Sequence, residues 1–125
     1  MTKQILSSVS DFVVENFPET VILPTLGNND VKFHYQFPTT PELAEDYYGY
    51  VFDNFIEKPF GNQNLDKEGI RETFMHGGYF RTEVKGVTFL NLNSLMWAVS
   101  RYTLPSEPAN EQMDWLEEQF KTIPL

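Results

Sequence analysis

The run Val21-Ile22-Leu23-Pro24-Thr25-Leu26 halts at Gly27-Asn28-Asn29-Asp30, and no other junction in the chain restricts the fold as much. Six mostly apolar residues, bounded by Pro18-Glu19-Thr20 before and by glycine after, read as a short strand of the kind buried on both faces. Upstream, Ile5, Leu6, Val9, Phe12, Val13 and Phe17 recur at helical spacing, so residues 3–17 are expected to form an amphipathic helix packed through those side chains. Helix, turn, strand and loop make an α/β unit. The loop sets an amide oxygen and a carboxylate at the strand's carboxyl end, where open α/β sheets bind ligands.

Residues 31–40 have no clear period and carry the string Phe33-His34-Tyr35-Gln36-Phe37. Thr40 as cap and Pro41 in the first turn open a second helix, with Leu43, Tyr47, Tyr48, Val51, Phe52 and Phe55 as its apolar face. After a loop over 59–64, a third helix is expected from Lys67 to Met75, ended by Gly77-Gly78. The period then changes to that of strands: Tyr79 to Val84 and Val87 to Leu92, joined by Lys85-Gly86, read as a β-hairpin. Residues 94–109 read as loop, and a last helix runs from about Asn110 to Thr122 with Met113, Leu116 and Phe120 on one face.

Charge narrows the partners. Eighteen acidic against nine basic residues give −9, which argues against nucleic-acid and anionic-membrane surfaces, since both need clustered Lys and Arg. It also opposes a polyanionic substrate unless bound metal ions supply positive charge. Without cysteine there is no disulfide scaffold, no thiolate zinc site and no cysteine nucleophile. Met1-Thr2-Lys3-Gln4 leads into the amphipathic segment and not into a signal-peptide core, and no run nears the roughly 18 apolar residues that span a bilayer.

Four stretches in order carry a resemblance: Gly27-Asn28-Asn29-Asp30; Gly77-Gly78-Tyr79-Phe80; Leu90-Asn91-Leu92-Asn93-Ser94; and Gln112-Met113-Asp114-Trp115-Leu116-Glu117. Together the chain resembles the calcineurin-like metallophosphoesterases, in the branch of acid sphingomyelinase-like phosphodiesterases and endopolyphosphatases. That resemblance implies that residues 1–125 are the central portion of a four-layer α/β/β/α sandwich, flanked in the family by motifs supplying most ligands of a dinuclear Zn, Mn, Fe or Mg site. Relatives of this kind are commonly secreted, lysosomal or vacuolar.

The resemblance makes Asn28 a metal ligand, through a neutral hard oxygen. One such oxygen cannot hold a metal, and on the residues alone Asn28 is a turn residue bonded to its own backbone. Asn29 stands where many relatives carry a histidine that protonates the leaving group, and an amide has no titratable proton to give. A phosphate leaving from an anhydride needs little protonation, so Asn29 favours a polyphosphate-like or nucleotide-like substrate over a phosphodiester such as sphingomyelin. His34 is a candidate replacement acid, against an ordinary loop histidine. Asp30 is expected to orient its neighbour, or simply to cap the turn.

Tyr47, Tyr48, Trp97 and Trp115 either line a groove or, as their spacing favours, fill the core. His76 is expected at a helix C-terminus. Asn91 and Asn93 read as strand-end hydrogen bonders, and Glu107, Glu111, Asp114, Glu117 and Glu118 as a solvated helix face. Two functions follow from different classes: part of a metal-dependent phosphoric ester or anhydride hydrolase, completed by the remainder of its catalytic domain and inactive alone, or a non-catalytic binding module derived from one.

Overall fold

Asp66 starts a helix and Gly78 ends it: the Asp66 carboxylate accepts the Gly69 N–H at 3.0 Å, and Gly78 takes the left-handed conformation, φ 73°, that closes a helix C-terminus. The computed structural model describes residues 3–27, 30, 38–97 and 107–124. Its helices are α1 (Lys3–Asn16), α2 (41–57), α3 (Lys67–Gly77) and α4 (Glu107–Thr122), with 3₁₀ turns at Phe60–Asn62 and Ser94–Trp97. Strands β1 (Phe80–Val84) and β2 (Val87–Asn91) form a two-stranded antiparallel sheet with Thr82 opposite Phe89. The chain is thus mixed helix and sheet. Lys85 and Gly86 both have positive φ, as a two-residue hairpin turn requires.

Helix α2 begins as expected, with Thr40 Oγ1 accepting the Leu43 N–H and Pro41 in the first turn. It then departs from a plain α-helix. Pro41–Ala44 and Tyr50–Phe52 are α-helical, whereas Glu45–Gly49 and Asp53–Glu57 are π turns, the second closed by Lys58 N–H to Asp53 O at 3.0 Å. The first wider turn buries the adjacent pair Tyr47 and Tyr48, the α-helical stretch after it buries Val51 and Phe52, and the second wider turn brings in Ile56. Leu43, expected on the buried face, is exposed. Tyr48, Phe52 and Phe80 surround Phe74 at ring-centroid distances of 6.0, 6.2 and 5.8 Å, and Ile56, Ile70 and Leu95 complete a core at the junction of α2, α3 and β1.

Three expectations are corrected. The apolar residues of α1 do not form one buried face: Leu6 is buried with Ser10, while Val9, Phe12 and the following Phe17 are exposed. Val9 and Phe12 lie on a neighbouring stripe, and the seam with α2 is largely polar. Ser10 Oγ donates to Asn54 O, Tyr50 Oη to Lys3 O, and Lys3 and Lys58 pair with Asp46 and Asp11.

Helix α4 likewise buries Ala109 and Gln112 and leaves Met113 and Phe120 exposed. It starts at Glu107, inside the stretch read as loop, because Pro108 fits a first turn.

Finally, residues 21–26 belong to no strand ladder. Ile22 N–H donates to Asn62 Oδ1 at 2.8 Å, and Asn62 Nδ2 donates to Ile22 O at 2.9 Å. Asn62 is wholly buried and also donates to Phe55 O and Ile56 O. At the other end Asn91 Nδ2 donates to Pro24 O at 3.5 Å, and Ser94 N–H to Leu26 O at 3.1 Å. These bonds fall on residues 22, 24 and 26, the period of an extended chain. Side-chain groups of Asn62 and Asn91 thus bond the backbone here where a neighbouring strand otherwise would.

Candidate functional site

The loop after residue 26 is rooted before it turns. Leu26 is buried, and its carbonyl accepts from both Ser94 N–H and Ser94 Oγ, at 3.1 and 3.2 Å. One residue later the chain closes on itself: Gly27 N–H donates to Asp30 Oδ2 at 2.8 Å, and Asp30 N–H donates to Gly27 O at 3.2 Å. Asp30 therefore closes the turn with its side chain and backbone together. Asn28 and Asn29, the two residues this turn encloses, and His34 lie outside the described residues.

Beneath the turn is a wholly buried amide pair. Asn93 N–H donates to Gln112 Oε1 at 2.8 Å, and Gln112 Nε2 donates back to Asn93 O at 3.1 Å, so the Gln112 side chain pairs with a peptide unit as a neighbouring strand does. Asn93 Nδ2 donates to Gly77 O and Tyr48 Oη, and Asn93 Oδ1 accepts the Leu95 N–H. Helix α4, the end of β2, the end of α3 and helix α2 are tied at this one residue.

Gly78 permits the junction. A Cβ there would come within 2.7 Å of Leu26 Cδ1, 3.0 Å of Asn93 Nδ2 and 3.1 Å of Tyr48 Cε1.

Two phenols flank the turn. Burial, and then the carboxylate of Asp30, push the Tyr47 hydroxyl well above the ordinary tyrosine range; burial does the same for Tyr48, opposed by its hydrogen bond from Asn93. Both stay neutral at any ordinary pH. Tyr48 is satisfied. Among the described residues, the Tyr47 hydroxyl is the buried side-chain group with no hydrogen-bond partner.

A buried hydroxyl left unpaired costs about 1–3 kcal/mol. Tyr47→Phe is therefore expected to leave the fold intact and raise its stability by about 1 kcal/mol, read as a higher midpoint in urea. A loss of more than about 1 kcal/mol would mean that the hydroxyl has a partner in solution.

The remaining candidates are placed apart from the turn. Trp115 packs on Tyr79 at 4.8 Å between ring centroids, and Trp97 is partly exposed at the end of its 3₁₀ turn. His76 lies in the last turn of α3 as expected, its Nε2 2.8 Å from Glu111. Glu107, Asp114, Glu117 and Glu118 are exposed, as a solvated face requires. Arg81 is committed to Thr122, Gln119 and Glu83 and offers no open fork for an anion. Among the described residues no three His, Cys, Asp or Glu converge as a metal set.

The residue that sequence reasoning missed is Asn62. Its signal, the turn-like Pro59-Phe60-Gly61-Asn62, resembles any loop.

No family model matches the chain. No solved structure matches it significantly. Two curated proteins do: an endopolyphosphatase of Neurospora crassa, 31% identical over 109 residues, and a sphingomyelinase phosphodiesterase D of Dictyostelium discoideum, 27% identical over 109 residues. The matches take in 82% and 83% of this chain but only 14% and 22% of those proteins, so the chain spans less than a quarter of each relative's length. Among the described residues, no helix is long and apolar enough to cross a membrane. By sequence, the chain is similar to segments of phosphoesterases that both relatives' names describe.

Proposed function

We propose that the chain is the asparagine-loop segment of a metal-dependent phosphoric ester or anhydride hydrolase of the calcineurin-like metallophosphoesterase family. The observation that carries this reading is the likeness, over more than four fifths of the chain, to segments of two named phosphoesterases. Gln112 and Asn93 lock the ground under Leu26, and the Asp30 carboxylate closes on the Gly27 N–H, these two residues bracketing Asn28 and Asn29 in sequence. The preferred substrate is a polyphosphate-like or nucleotide-like anhydride, because Asn29 has no proton to give a poor leaving group.

The described residues do not make a metal set by themselves. Divalent ions of the Zn, Mn, Fe or Mg class, which polarise phosphoryl oxygens when bound, require further carboxylate and imidazole ligands beside Asn28. Such ions would also offset the −9 charge that otherwise repels a polyanion.

Residues 3–124, placed in the Neurospora crassa endopolyphosphatase in exchange for its matching segment, test the proposal. The chimera is expected to release phosphate from polyphosphate with Mn, Zn or Mg and to lose this on chelation. Asn28→Ala should cost it about 10²-fold in rate together with bound metal, and Asn29→His much less on polyphosphate. An Asn28→Ala chimera with unchanged rate and metal content would overturn the assignment. The isolated chain should release no phosphate; turnover of about 1 per second, lost on chelation, would show that the extra ligands are not needed.

One other reading is a non-catalytic binding module of phosphoesterase descent. A chimera that folds but neither binds metal nor turns over would select it.

A further inference from the structure

Tyr47 carries a hydroxyl that packing alone does not require. Only 8% of the residue is exposed, and its buried oxygen makes no hydrogen bond. Atoms of this chain itself cover that oxygen, so a surface added by the rest of a larger domain does not supply the missing partner. Phenylalanine would fill the same space without stranding a donor. A buried polar group that persists unpaired calls for a role outside packing.

An open acceptor lies on the neighbouring turn. The Asp30 carboxylate uses Oδ2 to hold the Gly27 N–H at 2.8 Å, and its Oδ1 takes no hydrogen bond. One buried cluster joins the two residues: it contains Leu26, the residue before the turn, together with Tyr47 and Tyr48. The two tyrosine rings lie 5.7 Å apart, and Tyr48 Cε1 and Leu26 Cδ1 lie 3.1 and 2.7 Å from the position a Cβ of Gly78 would take. Asp30 is near enough for its charge to add to burial in holding the proton on Tyr47. The phenol is thus fixed as a donor.

We propose that Tyr47 is a positioning residue for the asparagine loop, its hydroxyl donating to Asp30 Oδ1 when Asn28 is engaged in the complete site. The inference rests on the function proposed above. Asp30 then holds Gly27 with one oxygen and Tyr47 with the other, which ties the turn to α2. A hydroxyl bonded to a carboxylate is one of the stronger pairings, and this donor has no earlier partner to give up.

Tyr47→Phe, made in the intact chain and in the endopolyphosphatase chimera, tests it. In the chain the urea midpoint is expected to hold or rise. In the chimera kcat on polyphosphate should fall about tenfold or more with KM within about twofold, and the Mn concentration that gives half-maximal bound metal should rise about tenfold. Asp30→Ser leaves one oxygen for the Gly27 N–H and removes the second, so in that background Tyr47→Phe should cost less than about twofold. A cost undiminished by Asp30→Ser, or a lower urea midpoint in the Tyr47→Phe chain, would make the hydroxyl structural and overturn the inference. A chimera that needs Asn28 but is indifferent to Tyr47→Phe overturns the inference and leaves the proposed function standing. One that is unchanged by Asn28→Ala overturns both.

Discussion

Gly61→Ala is expected to cost more than about 3 kcal/mol, enough to unfold much of the population of a marginally stable domain. A Cβ at Gly61 would lie 2.0 Å from the Thr20 carbonyl oxygen and 2.4 Å from its carbon, with the Glu19 carbonyl carbon at 2.9 Å. These are backbone atoms and have no rotamer to change. The 59–62 turn must retreat, and Asn62 then loses the paired bonds that hold Ile22. Gly86→Ala separates the clash from backbone preference: Gly86 has φ 79° but no atom within 4 Å of its missing Cβ, so only about 1–2 kcal/mol is expected there. Urea unfolding of the two variants measures both. Equal costs would show that Gly61 does not touch Thr20 as described.

Gln112→Leu should be nearly as damaging although it keeps the volume and adds apolar surface. It strands the Asn93 N–H and C=O, two wholly buried groups whose partner is one carboxamide, at about 1–3 kcal/mol each. A midpoint lower by more than about 10 °C is expected in thermal unfolding monitored by near-ultraviolet circular dichroism. Gln112→Glu should not rescue it: the carboxylate keeps an acceptor for Asn93 N–H, loses the donor to Asn93 O, and buries a charge. An unchanged midpoint in Gln112→Leu would mean that water reaches Asn93 and that the lock is not the anchor of the loop.

The parts of the fold that follow from local chemistry could be read from the residues. Thr40-Pro41, Gly77-Gly78 and Lys85-Gly86 mark a helix start, a helix end and a hairpin turn because each satisfies or strains the backbone within a few residues. Tyr47 and Tyr48 lie in the core as their spacing favours. The buried face of α1 was not legible, since two adjacent apolar stripes compete and a serine hydroxyl bonded to Asn54 decides between them. Nor was the π character of α2, whose wider turn at Glu45–Gly49 buries the neighbouring Tyr47 and Tyr48 together.

At the candidate site Asp30 closes the turn on Gly27, the capping role read as the alternative to orienting its neighbour. The motif around Gln112 was visible as a resemblance, but its physical purpose was not. A glutamine on a helix reads as solvated until another element places a peptide against it.

The two π turns of α2 bear on how this chain is compared with its relatives. Each of the segments Glu45–Gly49 and Asp53–Glu57 fits an additional residue into a turn without ending the helix. Against a relative whose corresponding helix is α throughout, an ungapped alignment slips by one position at each segment, turning every later side chain by roughly 100° about the axis. Tyr47, Tyr48 and Ile56 would then be equated with residues on the wrong side of that helix. Superposition on Phe52 and on the ring contacts to Phe74 gives the true correspondence, and single-residue gaps belong at 45–49 and 53–57.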